Sequence, residues 1–161
     1  MLFRSADLAV DEKADQSPVT QADRAAEATL REHLLHAFPD DAFLGEESGA
    51  ASGTSGFEWI VDPIDGTKSF IRGVPLYAML VGCRLEGRGA LGVIAVPALD
   101  EIVYAAAGGG AWHVVRGGPP RPARVSPRST LAKSLLCSSD FTSFARWSDR
   151  KSTRLNSSHL V

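Results

Sequence analysis

The chain has 161 residues, with 17 Lys and Arg against 19 Asp and Glu, a formal net charge of −2 and 44% hydrophobic residues. This mildly acidic balance argues against generic binding to nucleic acid or to an anionic membrane surface, and the apolar fraction against a disordered composition. The length suits one domain or part of a two-domain protein. Cys83 and Cys137 lie far apart, with Cys83 inside an apolar run, so neither a disulfide framework nor a zinc site has support. Reduced cytoplasm is the default compartment. No apolar run approaches the length of a membrane span.

The two ends read as foreign to the rest. Leu2–Ser5 and Asp149–His159 match the translation of one short sequencing-adapter element read in opposite directions. Residues 1–5 and 149–161 are therefore expected to be non-native and are set aside. Residues 6–148 remain as one expected domain portion, the interior of a longer gene product, with 13 basic and 18 acidic residues.

In chain order, residues 20–38 predict a helix, with Thr20 as N-cap and Asp23 at the capping-box position. Ala26, Leu30, Leu34 and Phe38 recur every four residues as a buried stripe, and Arg24, Glu27, Arg31 and Glu32 are expected to face water. Pro39 closes the helix. A short apolar run, Ala42–Leu44, leads to Gly45-Glu46-Glu47, and the Gly/Ser-rich segment 48–56 reads as a flexible, solvent-facing loop. Trp59, Ile60 and Val61 predict a strand that delivers Asp62 and Asp65 at its C-terminal end. Apolar runs over 76–85 and 90–96, separated by Gly87–Gly89, and over 102–106 and 111–115, split by Gly108-Gly109-Gly110, predict further buried strands. The Pro/Arg-rich segment 117–128 reads as a solvated loop and edge strand. A helix followed by consecutive strands implies an α+β layered domain.

The chemistry concentrates around VDPIDGT, residues 61–67. Asp-Pro and Asp-Gly are common turn material, which is the local alternative to a functional reading. Yet Asp62, Asp65, Glu46 and Glu47, leaving strand ends around a rigid Pro63, can converge on one point, and convergent carboxylates repel unless a cation sits among them. Magnesium suits such oxygen ligands, and the Ile64 carbonyl can add one while its side chain enters the core. Gly66 allows close approach of backbone to a ligand, and a helical turn from Lys68 to Ile71 would offer N–H groups to an anion. Metal and amides together would grip a phosphate monoester. His33, His36 and His113 have no ligand spacing. Ser69 and Arg72 suit either substrate contact or an ordinary exposed turn.

The motifs PVTQAD, GEES and WIVDPIDGT, in this order along the chain, resemble the inositol monophosphatase family of magnesium-dependent sugar and alcohol phosphatases. The resemblance implies a layered αβαβα fold in the complete enzyme, of which this chain is the N-terminal portion. It also implies two or three Mg2+ ions held by Glu46, Asp62, the Ile64 carbonyl and Asp65. Thr67, paired with Asp23, would orient or deprotonate the attacking water, with Glu46 contributing to catalysis. Asp65, Gly66 and Thr67 would bind the substrate phosphate. Glu47 would neighbour the site, and Lys13 would lie near it on a loop that helps bind a further metal. A small phosphorylated alcohol is the implied substrate and a homodimer the implied assembly, without nucleic acid or membrane partners. Within the family, KADQSPVTQAD, DGTKSFIRGVPLY and VPALDEIVYAAAGGGAW are most similar to the histidinol-phosphatase branch of histidine biosynthesis, with inositol monophosphatase itself the alternative. Family members complete the metal site with a Trp-Asp motif in their second half. Trp147-Ser148-Asp149 does not replace it, so the 161-residue chain alone is expected to hydrolyse little. A non-catalytic metal- or phosphate-binding module is the reading from another class.

Overall fold

The computed structural model describes residues 9–12 and 18–130. Lys13, Cys137 and both terminal segments set aside above lie outside these residues. The chain divides into two compact units, Met1–Arg124 and Val125–Val161, and every element described belongs to the first.

A short hairpin, β1 (Val10–Glu12) and β2 (Pro18–Thr20), leads into helix α1 (Gln21–Ala37). Thr20 caps α1 through a full capping box with Asp23. Then come β3 (Ala42–Gly45), β4 (Gly49–Ala51), β5 (Phe57–Asp65), the short helix α2 (Thr67–Phe70), β6 (Ala78–Leu85) and β7 (Arg88–Val96). A 3-10 turn, Pro97–Leu99, precedes β8 (Glu101–Ala106), β9 (Gly110–Val115) and β10 (Arg121–Pro122). Eight strands form one sheet in the order β10-β9-β8-β7-β6-β5-β3-β4. Within it β3 and β5 run parallel, and every other neighbouring pair is antiparallel.

Strand alternation puts Trp59 and Val61 on one face of β5, and the cross-strand partners of those two residues, Cys83 and Val81, share it. With Phe43 they form the core, against which Leu30, Leu34 and Leu35 of α1 pack. Phe38 departs from the expected buried stripe. It lies at the edge, with its ring 5.3 Å from that of Trp59 and its outer side exposed. The Trp59 indole donates to Asp41 Oδ2 at 2.8 Å, and Ser55 Oγ donates to Asp41 Oδ1 at 2.6 Å. Burial, with the negative charge of Asp41 adding to it, raises the Cys83 thiol above its ordinary value. Cys83 is 4% exposed and free. In the native chain at pH 8 it is expected to react with iodoacetamide roughly a hundredfold more slowly than in urea, as peptide-level mass spectrometry would show.

Two expectations need correction. Glu27 does not face water; it is 1% exposed, because its carboxylate is taken up by backbone N–H groups of a neighbouring turn. Segment 48–56 is not simply a loop, since Gly49–Ala51 pairs with β3 as an edge strand. Thr54 and Ser55 both donate backbone N–H to the Asp40 carbonyl, at 2.7 and 3.0 Å, and anchor the rest.

Candidate metal centre

The parallel pairing of β3 and β5 is what brings the acidic motifs together. Gly45 lies opposite Val61, and the N–H of Glu46 continues the ladder to the Val61 carbonyl at 3.2 Å. Glu46, just past the end of β3, and Asp62, near the C-terminal end of β5, therefore stand side by side, about 5 Å apart in backbone spacing. Burial, the charge and hydrogen bond of Glu46 and the charge of Asp65 push the Asp62 carboxyl up to about 7, against a smaller opposing effect of the Ile64 N–H. Its Oδ1 is buried without a hydrogen-bond partner.

Between Asp62 and Asp65 the ladder slips: Asp62 faces Leu80 while Asp65 faces Ala78, so three steps on β5 match two on β6. This bulge around Pro63 breaks the alternation that would send the two aspartates to opposite faces, and Ile64 is left buried. Gly66, at φ 90, then turns the chain into α2. Thr67 Oγ1 stands 3.0 Å from the Ile64 carbonyl and 3.4 Å from Asp23 Oδ1. Asp23 is 2% exposed, and its Oδ2 accepts from both the N–H and the hydroxyl of Thr20, at 2.8 and 2.5 Å. It thus ties the start of α1 to the Asp-Gly-Thr turn.

An orphaned buried oxygen beside a second carboxylate, with a third acidic charge close by, fits a hard divalent cation. Glu46, Asp62 and Asp65 are the side chains that could hold one, and the Ile64 carbonyl keeps a second lone pair beside its bond to Thr67. Among the described residues no three His, Cys, Asp or Glu side chains already surround one point closely enough to hold an ion. The arrangement is a half-site of two carboxylates on adjacent strand positions, with the charge of Asp65 acting on the same group. The half-buried Glu47 is held through its N–H, and Arg72 donates to the Lys68 carbonyl at 3.0 Å within its own turn. His33 Nδ1 lies 2.7 Å from the Thr29 carbonyl and His113 Nε2 3.1 Å from Glu101 Oε2, so the partners of both lie outside the acidic motifs. The expectation that Glu27 faces water missed its role here; its position four residues after Asp23 on the same helix face was the available signal.

The chain matches the inositol monophosphatase family over residues 2–157, a span that takes in parts of both ends set aside above. The chain belongs to the inositol monophosphatase family. It is 43% identical over 144 residues to a histidinol-phosphatase of Mycobacterium tuberculosis, covering 89% of this chain and 55% of that protein. An inositol-1-monophosphatase of Rhizobium meliloti is 40% identical over 130 residues, covering 80% of this chain and 47% of that protein. Among solved structures, the extragenic suppressor protein suhB of Bartonella henselae superposes with a TM-score of 0.69 at 38% identity, covering 76% of this chain and 46% of that one. The chain spans about half the length of the curated relatives it matches. Its fold is the α+β sugar-phosphatase fold, in part. Among the described residues no helix is long and apolar enough to cross a membrane.

Proposed function

We propose that the full-length protein is a cytoplasmic, homodimeric Mg2+-dependent phosphate monoester hydrolase that removes phosphate from histidinol phosphate. The observation that carries the reading is the unpartnered, buried Asp62 Oδ1 next to Glu46 at adjacent parallel strand ends. The names of relatives such as the histidinol-phosphatase of M. tuberculosis support the substrate, and the inositol-1-monophosphatase of R. meliloti supports inositol phosphate as the alternative.

In this reading Glu46, Asp62, Asp65 and the Ile64 carbonyl hold Mg2+, with Lys13 near the site on its loop. When bound, Mg2+ supplies positive charge that eases deprotonation of the attacking water and stabilises the leaving oxygen. Asp23, fixed by two bonds to Thr20 and with its Oδ1 3.4 Å from Thr67 Oγ1, would take the hydroxyl proton in place of the Ile64 carbonyl, to which Oγ1 is nearer at 3.0 Å, and so leave a lone pair of the hydroxyl facing that water. The backbone of Gly66 and Thr67 receives the phosphate at the start of α2. The water oxygen forms the new bond to phosphorus, the ester P–O bond breaks, and the alcohol leaves carrying a proton.

Inorganic phosphate release from histidinol phosphate by the purified full-length protein tests this. Turnover is expected only with Mg2+ and is lost on EDTA treatment, and kcat/KM for histidinol phosphate exceeds that for inositol 1-phosphate by roughly tenfold or more. The 161-residue chain is expected to retain under about one per cent of that activity. Hydrolysis undiminished by EDTA, or none of either ester, contradicts the reading.

A further inference from the structure

The helix stripe Asp23, Glu27 and Arg31 recurs every four residues, so all three side chains lie along one face of α1. Asp23 reaches Thr67. One turn on, the Glu27 carboxylate takes the N–H of Glu47 on Oε2 at 2.7 Å and that of Ser48 on Oε1 at 2.6 Å. A further turn on, Arg31 donates to Ser48 Oγ at 3.0 Å, with its guanidinium 5.3 Å from the Phe43 ring centre. A carboxylate buried to 1% exposure is costly unless both oxygens are satisfied, and here two consecutive amides of the β3–β4 turn satisfy them with short, charge-assisted bonds. The backbone on the other side of Glu46 is equally tight: a Cβ on Gly45 would overlap the same carboxylate.

We propose that Glu27 is a positioning residue that fixes the Glu46 backbone so that the Glu46 side chain meets Asp62. Glu46 sits between Gly45, which rests on the Glu27 carboxylate, and Glu47, whose N–H the carboxylate holds. With its own N–H on the Val61 carbonyl, both peptide planes flanking Glu46 are set from outside the residue. The carboxylate itself is essential to this role. The amide of a glutamine has the same volume but one acceptor, and its NH2 would oppose one of the two N–H groups. The inference rests on the metal-dependent reading above, and the experiment separates failure of the two.

Full-length, metal-free protein is titrated with Mn2+, bound ion being counted from the loss of the free aqueous EPR signal, and thermal unfolding measured in parallel. Glu27→Gln is expected to weaken Mn2+ affinity of the folded protein by roughly tenfold or more. At saturating Mg2+ its kcat should stay within about threefold of wild type, the split expected of a residue that orders a ligand without touching substrate. Gly45→Ala, which displaces the carboxylate but keeps its charge, should weaken binding likewise. In a Glu27→Ala background Gly45→Ala should add little, because the clash is gone. Lower thermal stability with unchanged Mn2+ affinity in Glu27→Gln leaves Glu27 a purely structural group and overturns the proposal. Should Glu27→Gln not fold, unchanged affinity in Gly45→Ala does the same. Wild-type protein that folds yet binds no Mn2+ overturns both readings and locates the failure in the metal site.

Discussion

Asp62→Asn is expected to lower hydrolysis by the full-length protein roughly a thousandfold while making the metal-free protein more stable. The two effects share one cause. Asp62 carries a buried oxygen with no partner, sits against Glu46 and feels the charge of Asp65. Without a cation these are unfavourable, and they raise its carboxyl from 3.8 to about 7. The folded chain then holds this proton more tightly than the unfolded chain, so stability falls as pH rises from about 4 to about 7, and the deficit is complete above that. Asparagine never ionises, so Asp62→Asn should flatten this part of the pH profile and raise Tm most at pH 8. With metal present the same negative charge becomes an asset. Removing a ligand that supports several kcal/mol of charge stabilisation in the transition state corresponds to the thousandfold loss. Thermal unfolding in EDTA at pH 5.5 and pH 8, beside phosphate release in Mg2+, checks both. Equal or lower Tm at pH 8 together with retained turnover would remove Asp62 from the site.

Gly66→Ala should destabilise the protein by about 2–4 kcal/mol and impair catalysis beyond the loss of folded protein. Gly66 has φ 90 and ψ 37, where a side chain alone costs about 1–2 kcal/mol. An added Cβ would also lie 2.9 Å from the Leu76 carbonyl, a backbone atom that cannot swing aside. The edge-on packing of Phe70 against Tyr77, 5.0 Å between centroids, closes the same turn and blocks relief in that direction. Any shift must therefore move Thr67, which pairs with Asp23 across only 3.4 Å. Urea unfolding measures the first effect, and kcat per folded molecule the second. A change within about 0.5 kcal/mol of wild type would mean that the turn is not held as described.

The helix from Thr20, the strand through Trp59 and Val61 and the later strands were legible in the sequence because local rules govern them: a capping residue with its partner three positions on, four-residue apolar spacing, and apolar runs between glycine turns. The acidic motifs were legible for a different reason, since Asp-Pro-Ile-Asp-Gly-Thr and Gly-Glu-Glu-Ser are specific in combination, and the family resemblance they carried was correct. The β1–β2 hairpin was missed because three-residue strands leave no readable alternation. The pinning of 48–56 was missed because its anchors, Asp40 and Asp41, lie in a different segment.

By itself the sequence determined which residues can do chemistry and where the helix and main strands run, because charge, capping and periodicity act between near neighbours along the chain. The tertiary structure decided which of those residues meet. The parallel register of β3 beside β5 puts Glu46 next to Asp62, a bulge frees Asp65 from strict alternation, and the polar stripe of α1 turns inward, not toward water, to hold both loops. Strand order and register arise from contacts between residues distant in sequence, and a carboxylate such as Glu27 is buried only where those contacts supply its two hydrogen bonds.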